Sequence, residues 1–292
     1  MRGRVLATDR PLVMGVVNVT PDSFSDGGRY LDADAAIRHA GALLADGADI
    51  LDVGAESTRP QGATPVSAQE ELRRLAPVVR GILDAHPDAV VSVDTVKADV
   101  AEAMLAAGAH IVNDVSALRL DARMAPVVAT AGAGLLLMHS RGGVADMGTY
   151  VHADYPDGVV DAVLHELGAQ LDVARHAGVA RECLVVDPGI GFAKRPEDSL
   201  RMLAHVDALL EWGHPVAVGA SRKRFIGGIT GVTVPAERVF GSVGAAVAAY
   251  ERGASIFRAH DVAATRQALD VAAAVRRAAQ PDVVTTAGVP RA

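Results

Sequence analysis

Several residue types are scarce in this 292-residue chain, and each scarcity narrows what the protein can be. Aromatic residues make up 3% of it, and Cys183 is its one cysteine. A single cysteine excludes an internal disulfide framework and a four-cysteine zinc site, so we expect a buried, inert thiol. The formal net charge of -7 argues against a general nucleic-acid binder, which needs a basic surface.

Long apolar stretches are also missing. No window holds the roughly 18 uninterrupted apolar residues of a membrane span. The opening stretch, MRGRVLATDR, is too polar to contain the apolar core of a signal peptide. We therefore expect a soluble, cytoplasmic protein without a membrane partner.

The chain has instead a series of short runs rich in valine, isoleucine and leucine. These runs do not alternate with polar residues, which is typical of parallel strands covered on both faces. The eight runs lie at 12–17, 49–54, 89–93, 109–112, 134–138, 183–186, 215–219 and 255–258.

Helix-like stretches with apolar residues three and four positions apart lie between most of these runs. Examples are 32–48, 67–86, 96–109 and 239–254, and several end in Gly-Ala, a plausible helix C-cap. Alternating β and α units over about 250 residues predict a single-domain α/β fold, the (β/α)8 TIM barrel. The alternative is a doubly wound sheet, which usually has fewer strands and a GxGxxG turn after the first one.

The barrel is expected to span residues 12–279. Residues 1–11 would form an N-terminal extension or a cap at the barrel bottom, and 280–292 a flexible C-terminal tail.

Polar or charged residues stand at the end of every predicted strand. They include Asn18, Glu56, Asp94, Asn113, His139, Asp187, Ser221 and Arg258. A lone aspartate after a strand is usually a helix cap, and a lone histidine usually packs. In a TIM barrel, however, the C-terminal strand ends meet at one mouth and build the active site. The joint pattern therefore predicts one polar pocket with both carboxylates and cations.

The residue types in this pocket indicate what it can bind. Asp94, Asn113 and Asp187 offer acceptors and one amide, which suit a flat heterocycle whose edge alternates donors and acceptors. Lys223 could donate a hydrogen bond to a ring carbonyl or ring nitrogen.

A second group of cations suits an anion such as a diphosphate. Arg59, Arg258 and His260 could clamp it. Two glycine-bearing loops, TPDSFSDGGRY and STRPQGATP, are expected to be mobile and able to close over the site.

Eight motifs occur in order along the chain: MGVVNVTPDSFSDGG, DVGAESTRP, SVDT, IVNDVS, LMHSRG, VDPGIGFAK, VGASRKRF and FRAHD. Together they resemble the dihydropteroate synthase family, pterin-binding enzymes of the folate pathway that sulfonamides inhibit. The resemblance covers most of the chain, from about 12 to 275.

The resemblance implies a (β/α)8 barrel that is usually a homodimer. It implies condensation of 6-hydroxymethyl-7,8-dihydropterin diphosphate with p-aminobenzoate, assisted by Mg²⁺, to give 7,8-dihydropteroate and pyrophosphate. The small-molecule substrates would be the main partners.

Site residues follow from the resemblance by motif position. The pterin ring would be held by Asp94, Asn113, Asp187 and Lys223. The diphosphate would be held by Asn18, Thr58, Arg59, Arg258 and His260, with Asn18 also reaching the metal. The aminobenzoate pocket would be formed by Phe24, Pro60, Phe192 and Arg224, and Asp26 would lie in the first mobile loop. The catalytic candidates are Asp94, Lys223, Arg258 and His260.

The implied mechanism needs no protein nucleophile, so neither Ser221 nor Cys183 receives a covalent role. Diphosphate is a good leaving group once its charge is neutralised, and the dihydropterin ring supports a cationic methylene. Asp94, negative and close to the ring, would favour that cation. Loop closure would exclude the water that could trap it.

Three positions depart from the pattern of many relatives. Ala55 stands where glycine is common, and Gln61 is an extra residue in the second loop. Arg224 stands where many relatives have serine, although arginine also occurs there.

Two rival functions are compatible with a pterin-binding barrel. A methyltetrahydrofolate corrinoid methyltransferase shares the barrel and the pterin pocket but binds no diphosphate, so the set Asn18, Arg59, Arg258 and His260 argues against it. A non-catalytic pterin-binding paralogue would be expected to lose loop or diphosphate residues, and this chain keeps them.

Overall fold

The computed structural model describes residues 3–19, 29–56 and 65–279, in which strands and helices alternate. The strands are β1 (Leu12–Asn18), β2 (Ile50–Gly54), β3 (Val91–Asp94), β4 (Ile111–Asp114), β5 (Gly134–Met138), β6 (Leu184–Asp187), β7 (Ala217–Val218) and β8 (Ile256–Ala259). The helices are α1 (Arg29–Ala45), α2 (Ala68–Ala85), α3 (Ala98–Ala106), α4 (Met124–Ala131), α5 (Val159–His176), α6 (Pro196–Ala204), α7 (Arg224–Thr230), α8 (Val239–Glu251) and α9 (Val262–Ala278).

The strands form one parallel sheet that is nearly closed on itself. Its order is β6-β5-β4-β3-β2-β1-β8-β7. The two end strands meet at a parallel bridge between Val186 and Val216, beside a 3.1 Å hydrogen bond from Val186 N to Pro215 O. The predicted TIM barrel is confirmed, and the doubly wound alternative is wrong.

Two apolar layers surround the sheet because successive strand residues point to opposite faces. One layer, with Val53 and Val93, packs between the barrel and the helices. The other fills the barrel interior and includes Met14, Ile50 and Ile111.

Further along the same strands, the buried side chains become polar. Asp52 follows Ile50 at the next position of the same face, and Asn113 follows Ile111 in the same way. The barrel therefore has an apolar floor and a polar layer above it, which places the chemistry at the C-terminal ends of the strands.

Local sequence explains how the helices begin and end. Ser67 caps α2 by accepting a 3.2 Å hydrogen bond from Glu70 N, an arrangement that satisfies a free amide of the first turn. At the other end of a helix, Gly132 follows α4 with a φ of 60°, a conformation that costs glycine little.

Cys183 is buried and free, as expected. No helix in the described ranges is long and apolar enough to cross a bilayer.

The predicted tail at 280–292 and the two predicted mobile loops lie outside the described residues, apart from their flanking ends.

Candidate active site

A cavity of about 660 Å³ opens at the C-terminal ends of the strands. Its walls include nine of the residues predicted from the sequence: Asn18, Asp94, Asn113, Asp187, Phe192, Lys223, Arg224, Arg258 and His260. These residues lie at the ends of six different strands or directly after them, and the barrel brings them to one mouth. Phe24, Thr58, Arg59 and Pro60, which were predicted to join them, lie outside the described residues, as does Asp26.

A guanidinium held between two carboxylates occupies the base of the cavity. Arg258 Nε lies 2.6 Å from Asp52 Oδ2, and Arg258 Nη2 lies 3.0 Å from Asp94 Oδ2. Asp52 is completely buried, so Arg258 supplies the charge that makes its burial tolerable. Arg258 lies within β8 rather than after it, and its side chain is 26% exposed.

Asn113 extends this cluster toward the neighbouring strand. Its Nδ2 donates a 3.0 Å hydrogen bond to Asp52 Oδ2. Asn113 Oδ1, Asp52 Oδ1 and Ser92 Oγ are buried and have no hydrogen-bond partner in the described part of the chain. Buried polar atoms are normally paired, so Asn113 Oδ1, on a residue that lines the cavity, is available to a ligand donor.

The two acidic residues proposed to face the ligand have unusual acidities. Burial raises the pKa of Asp187 to about 6, against the opposing effects of the Gly189 amide and the Lys223 charge. Burial and repulsion from Asp52 raise the pKa of Asp94, while Arg258 opposes them. Carboxyls with such shifts in a cleft are typical of functional sites.

Asp187 is oriented by its own backbone. Its Oδ1 accepts a 2.7 Å hydrogen bond from Gly189 N. Gly189 has a φ of 68°, and a Cβ there would lie 1.8 Å from the His139 carbonyl oxygen. Only glycine fits this turn, because any side chain would strain the backbone and collide with β5's continuation.

Lys223 brings its side-chain amine to the cavity wall beside Phe192. Its Nζ lies 4.0 Å from the centroid of the Phe192 ring, a cation–π contact. Burial and repulsion from Arg258 lower the pKa of Lys223 to about 7, with Asp187 opposing. An anionic or acceptor-rich ligand would restore its charge.

His260 is a neutral donor at neutral pH. Burial and repulsion from Arg258 and Arg222 lower its pKa to about 3. Ser221 Oγ accepts from His260 N at 3.2 Å and lies 3.0 Å from His260 Nδ1. The hydroxyl therefore donates to Nδ1, which leaves the proton on Nε2.

The remaining cations of the SRKR segment have separate partners. Arg222 forms a bidentate ion pair with Asp261, with Arg222 Nε 3.0 Å from Asp261 Oδ2. Arg224 donates to Gly148 O at 2.7 Å and stacks 4.2 Å from the Tyr150 ring centroid. Arg224 is the first residue of α7 and lies at the cavity wall. Its guanidinium is held in place by Gly148 and Tyr150.

Sequence reasoning missed several residues of this site. Asp52 was placed inside an apolar run, although a charged residue in the middle of a buried strand was a usable signal. Tyr150 and Gly148 lie in the long connection after β5, where no pattern marked them. Lys194 also lines the cavity; it belongs to the VDPGIGFAK motif, but its contacts could not be anticipated from the sequence.

A second ionic cluster lies beside the mouth. Lys97 Nζ is 2.9 Å from Glu56 Oε2 and 2.7 Å from the completely buried Glu71. Glu56 Oε1 also accepts from Val66 N at 2.7 Å. This cluster ties the end of β2 to the approach to α2.

Comparison with known proteins gives one consistent result. The family model described as "Pterin binding enzyme" matches residues 14–260. The dihydropteroate synthase of Mycobacterium leprae (strain TN) is 47% identical over 268 residues, covering 90% of this chain and 92% of the relative.

Solved structures agree. Xanthomonas albilineans dihydropteroate synthase with 4-aminobenzoic acid has a TM-score of 0.87 and 46% identity, covering 96% of this chain and 97% of that one. The Yersinia pestis dihydropteroate synthase, in a sulfonamide drug complex, has a TM-score of 0.86 and 40% identity, covering 94% of this chain and 98% of that one.

Proposed function

The chain belongs to the dihydropteroate synthases of the pterin-binding enzyme family, and from this premise we propose the reaction it catalyses. It joins 6-hydroxymethyl-7,8-dihydropterin diphosphate to p-aminobenzoate, giving 7,8-dihydropteroate and pyrophosphate. The observation that carries the proposal is the convergence of Asp94, Asn113, Asp187, Lys223 and Arg258 on one cavity. Action in the cytoplasm is part of the same proposal.

The acidic wall of the cavity would bind the pterin ring. Asp94 and Asp187 accept hydrogen bonds when ionised, and Asn113 offers its unpaired Oδ1 to a ring donor. Lys223 would donate a further hydrogen bond to the ring. Alternating acceptors and donors would fix the orientation of a flat heterocycle.

The cationic side would bind the diphosphate. His260 would donate through Nε2, and Arg258 would turn its unengaged edge to the anion, with Arg59 and Thr58 from the second loop. Arg258 faces two tasks, since Asp52 and Asp94 already hold two of its nitrogens. We therefore assign it first to the placement of Asp94 and second to the anion.

A divalent cation fits this arrangement as a group shared with the substrate. In the described ranges, no group of three or more His, Cys, Asp or Glu side chains could hold a metal ion. Mg²⁺ commonly takes one or two protein oxygens plus substrate phosphates, so Asn18, which ends β1 at the cavity, would supply its amide oxygen. When bound, magnesium would neutralise part of the diphosphate charge.

Bond breaking at the pterin methylene would run ahead of attack. The carbon–oxygen bond breaks with its electron pair leaving on the diphosphate, and the ring shares the positive charge. Asp94 would favour that charge electrostatically. The aminobenzoate nitrogen then bonds to the methylene and loses one proton to the departing pyrophosphate or to water. Neither Ser221 nor the buried Cys183 takes part covalently.

The aminobenzoate would lie between the Phe192 wall and the loop residues Phe24 and Pro60. Arg224 borders the same part of the cavity, and its stacking on Tyr150 presents the guanidinium rigidly. Its charge suits the aminobenzoate carboxylate.

The decisive experiment is a pyrophosphate-release assay. We expect release only when both substrates and Mg²⁺ are present, and competition by a sulfonamide against p-aminobenzoate. Omitting either substrate is the control. Pterin binding without release would favour the non-catalytic paralogue, and methyl transfer without any diphosphate requirement would favour the corrinoid methyltransferase.

A homodimer is the expected assembly, and the last two helices supply a surface for it. Phe240 on α8 is 90% exposed, and Val271 and Val275 on α9 are each 65% exposed. We propose that a partner subunit covers these side chains, since exposed apolar side chains that form a contiguous patch commonly mark an interaction site. Sedimentation should show twice the mass of one chain, and Phe240→Glu should shift it toward the monomer. A monomeric wild type at micromolar concentration would contradict this assignment.

A further inference from the structure

The most deeply buried lysine borders the cavity but has no part in the proposed chemistry. Lys194 is 1% exposed and is one of the largest fully buried side chains. Its Nζ lies 2.8 Å from His139 Nδ1 and donates to Phe192 O at 3.2 Å. It belongs to the VDPGIGFAK motif, which reaches from the end of β6 toward α6.

Both partners of this ammonium are neutral. Burial and the neighbouring Lys194 charge lower the pKa of His139 to about 4, so its imidazole is uncharged at neutral pH. His139 Nδ1 accepts from Lys194, which places the ring proton on Nε2, 3.2 Å from Glu166 Oε2. A buried cation whose hydrogen-bond partners are all neutral raises the free energy of the folded state. Burial accordingly lowers the pKa of Lys194 to about 7.

The segment that Lys194 holds is tightly constrained. Residues 188–195, here called the β6–α6 connection, include Ala193 at a φ of 45°. Ala193 N donates to Met147 O at 2.8 Å, and Tyr155 OH donates to Ala193 O at 2.9 Å. A non-glycine residue in the left-handed region persists only where the surroundings impose it.

The β6–α6 connection includes Phe192, which we take as one wall of the aminobenzoate pocket. The Phe192 ring lies 4.0 Å from Lys223 Nζ, and its carbonyl is the group that Lys194 binds. A shift of the Phe192 backbone would move its ring relative to Lys223.

We propose that Lys194 is a positioning residue of the aminobenzoate subsite. Its buried amine fixes the β6–α6 connection between the Phe192 carbonyl and the His139 ring, and so sets the width of the slot beside Lys223. The inference rests on the proposed function, because it takes Phe192 as the aminobenzoate wall.

Lys194 also acts on the pterin side through its charge. The titratable or charged groups that influence it from the surrounding elements are His139, Arg141, Glu166, Asp187 and Asp198. The positive charge of Lys194 lowers the pKa of Asp187, which burial raises to about 6. Loss of that charge would raise the pKa of Asp187 further, because the carboxylate loses a favourable neighbour.

Two variants separate the contact from the charge. Lys194→Met removes both, whereas Lys194→Gln removes the charge but keeps an amide donor, one bond shorter. Arg201→Met, an exposed cation on α6, is the matched control.

At pH 8 we expect Lys194→Met to raise KM for p-aminobenzoate about tenfold, with kcat and KM for the pterin diphosphate within about twofold. Lys194→Gln should recover part of that loss. The control should match wild type for both substrates.

The pH dependence gives a readout that a purely structural role would not move. The ratio kcat/KM for the pterin diphosphate reports the free enzyme, and its acidic limb should move to higher pH in both Lys194 variants. The sign follows from Asp187, which would take up its proton at a higher pH without the neighbouring cation.

An unchanged aminobenzoate KM in a folded Lys194→Met enzyme would overturn the proposal. So would an equal fall in kcat and in both kcat/KM values that matches a reduced active fraction, since that marks a structural role. If Lys194→Met does not fold, Lys194→Gln carries the same test with p-aminobenzoate binding as the readout. A wild type that releases no pyrophosphate would instead refute the proposed function.

Discussion

Arg258→Met is expected to lower kcat/KM for pyrophosphate release by at least about a hundredfold. It should also lower the free energy of unfolding by about 3–5 kcal/mol, because the completely buried Asp52 loses the cation 2.6 Å away. Asp94 would lose its partner at the same time. Steady-state kinetics and urea unfolding of the same preparation measure the two effects.

The double variant Asp52→Asn/Arg258→Met separates the stability effect from the catalytic one. A neutral amide at position 52 needs no cation, so most of the lost stability should return while kcat/KM stays low. If Arg258→Met has the same urea unfolding midpoint as the wild type, the ion pair does not offset the cost of burying Asp52.

Lys223→Gln is expected to weaken pterin diphosphate binding by about thirtyfold, roughly 2 kcal/mol, the usual contribution of a charged hydrogen bond. Calorimetric titration of the enzyme with the pterin diphosphate measures it directly. Lys223 Nζ lies 4.0 Å from the centroid of the Phe192 ring. Because the ring covers this position, a water molecule would not readily take over the hydrogen bond that Lys223 donates to the ligand.

The adjacent cation serves as the comparison. Arg222 is already engaged by Asp261, so Arg222→Gln should change pterin affinity by less than about threefold. Unchanged affinity in Lys223→Gln would remove Lys223 from the pterin site. If Arg222→Gln weakened pterin binding more than Lys223→Gln, Arg222 and not Lys223 would be the residue that binds the pterin.

The strands were predictable because each is short, mostly buried and dominated by apolar residues. The run at 134–138 coincides with β5 (Gly134–Met138). The run at 215–219 was longer than β7 (Ala217–Val218). Pro215 has no amide to donate to a neighbouring strand, so only its carbonyl is used, by Val186 N.

The site was predictable to the extent that barrel topology brings strand ends together. Asp94, Asn113 and Asp187 were chosen as strand-end residues, and all three line the cavity. Asp52 was not chosen, since it sits two residues before the end of β2. Tyr150 was not chosen because aromatic residues in irregular connections carry no periodic signal.

Composition, apolar periodicity and the order of the motifs were enough to predict the barrel, the family and nine of the residues that line the cavity. These features depend on local patterns and on one topological rule. Which charged and polar side chains pair with one another could be seen only in the tertiary structure. Arg258 and Asp52 are 206 positions apart, and Lys194 and His139 are 55 apart, so nothing along the chain reveals that they touch. Such contacts, and the pKa shifts that follow from them, depend on distances through space and on exclusion of water, and both arise only when the barrel closes.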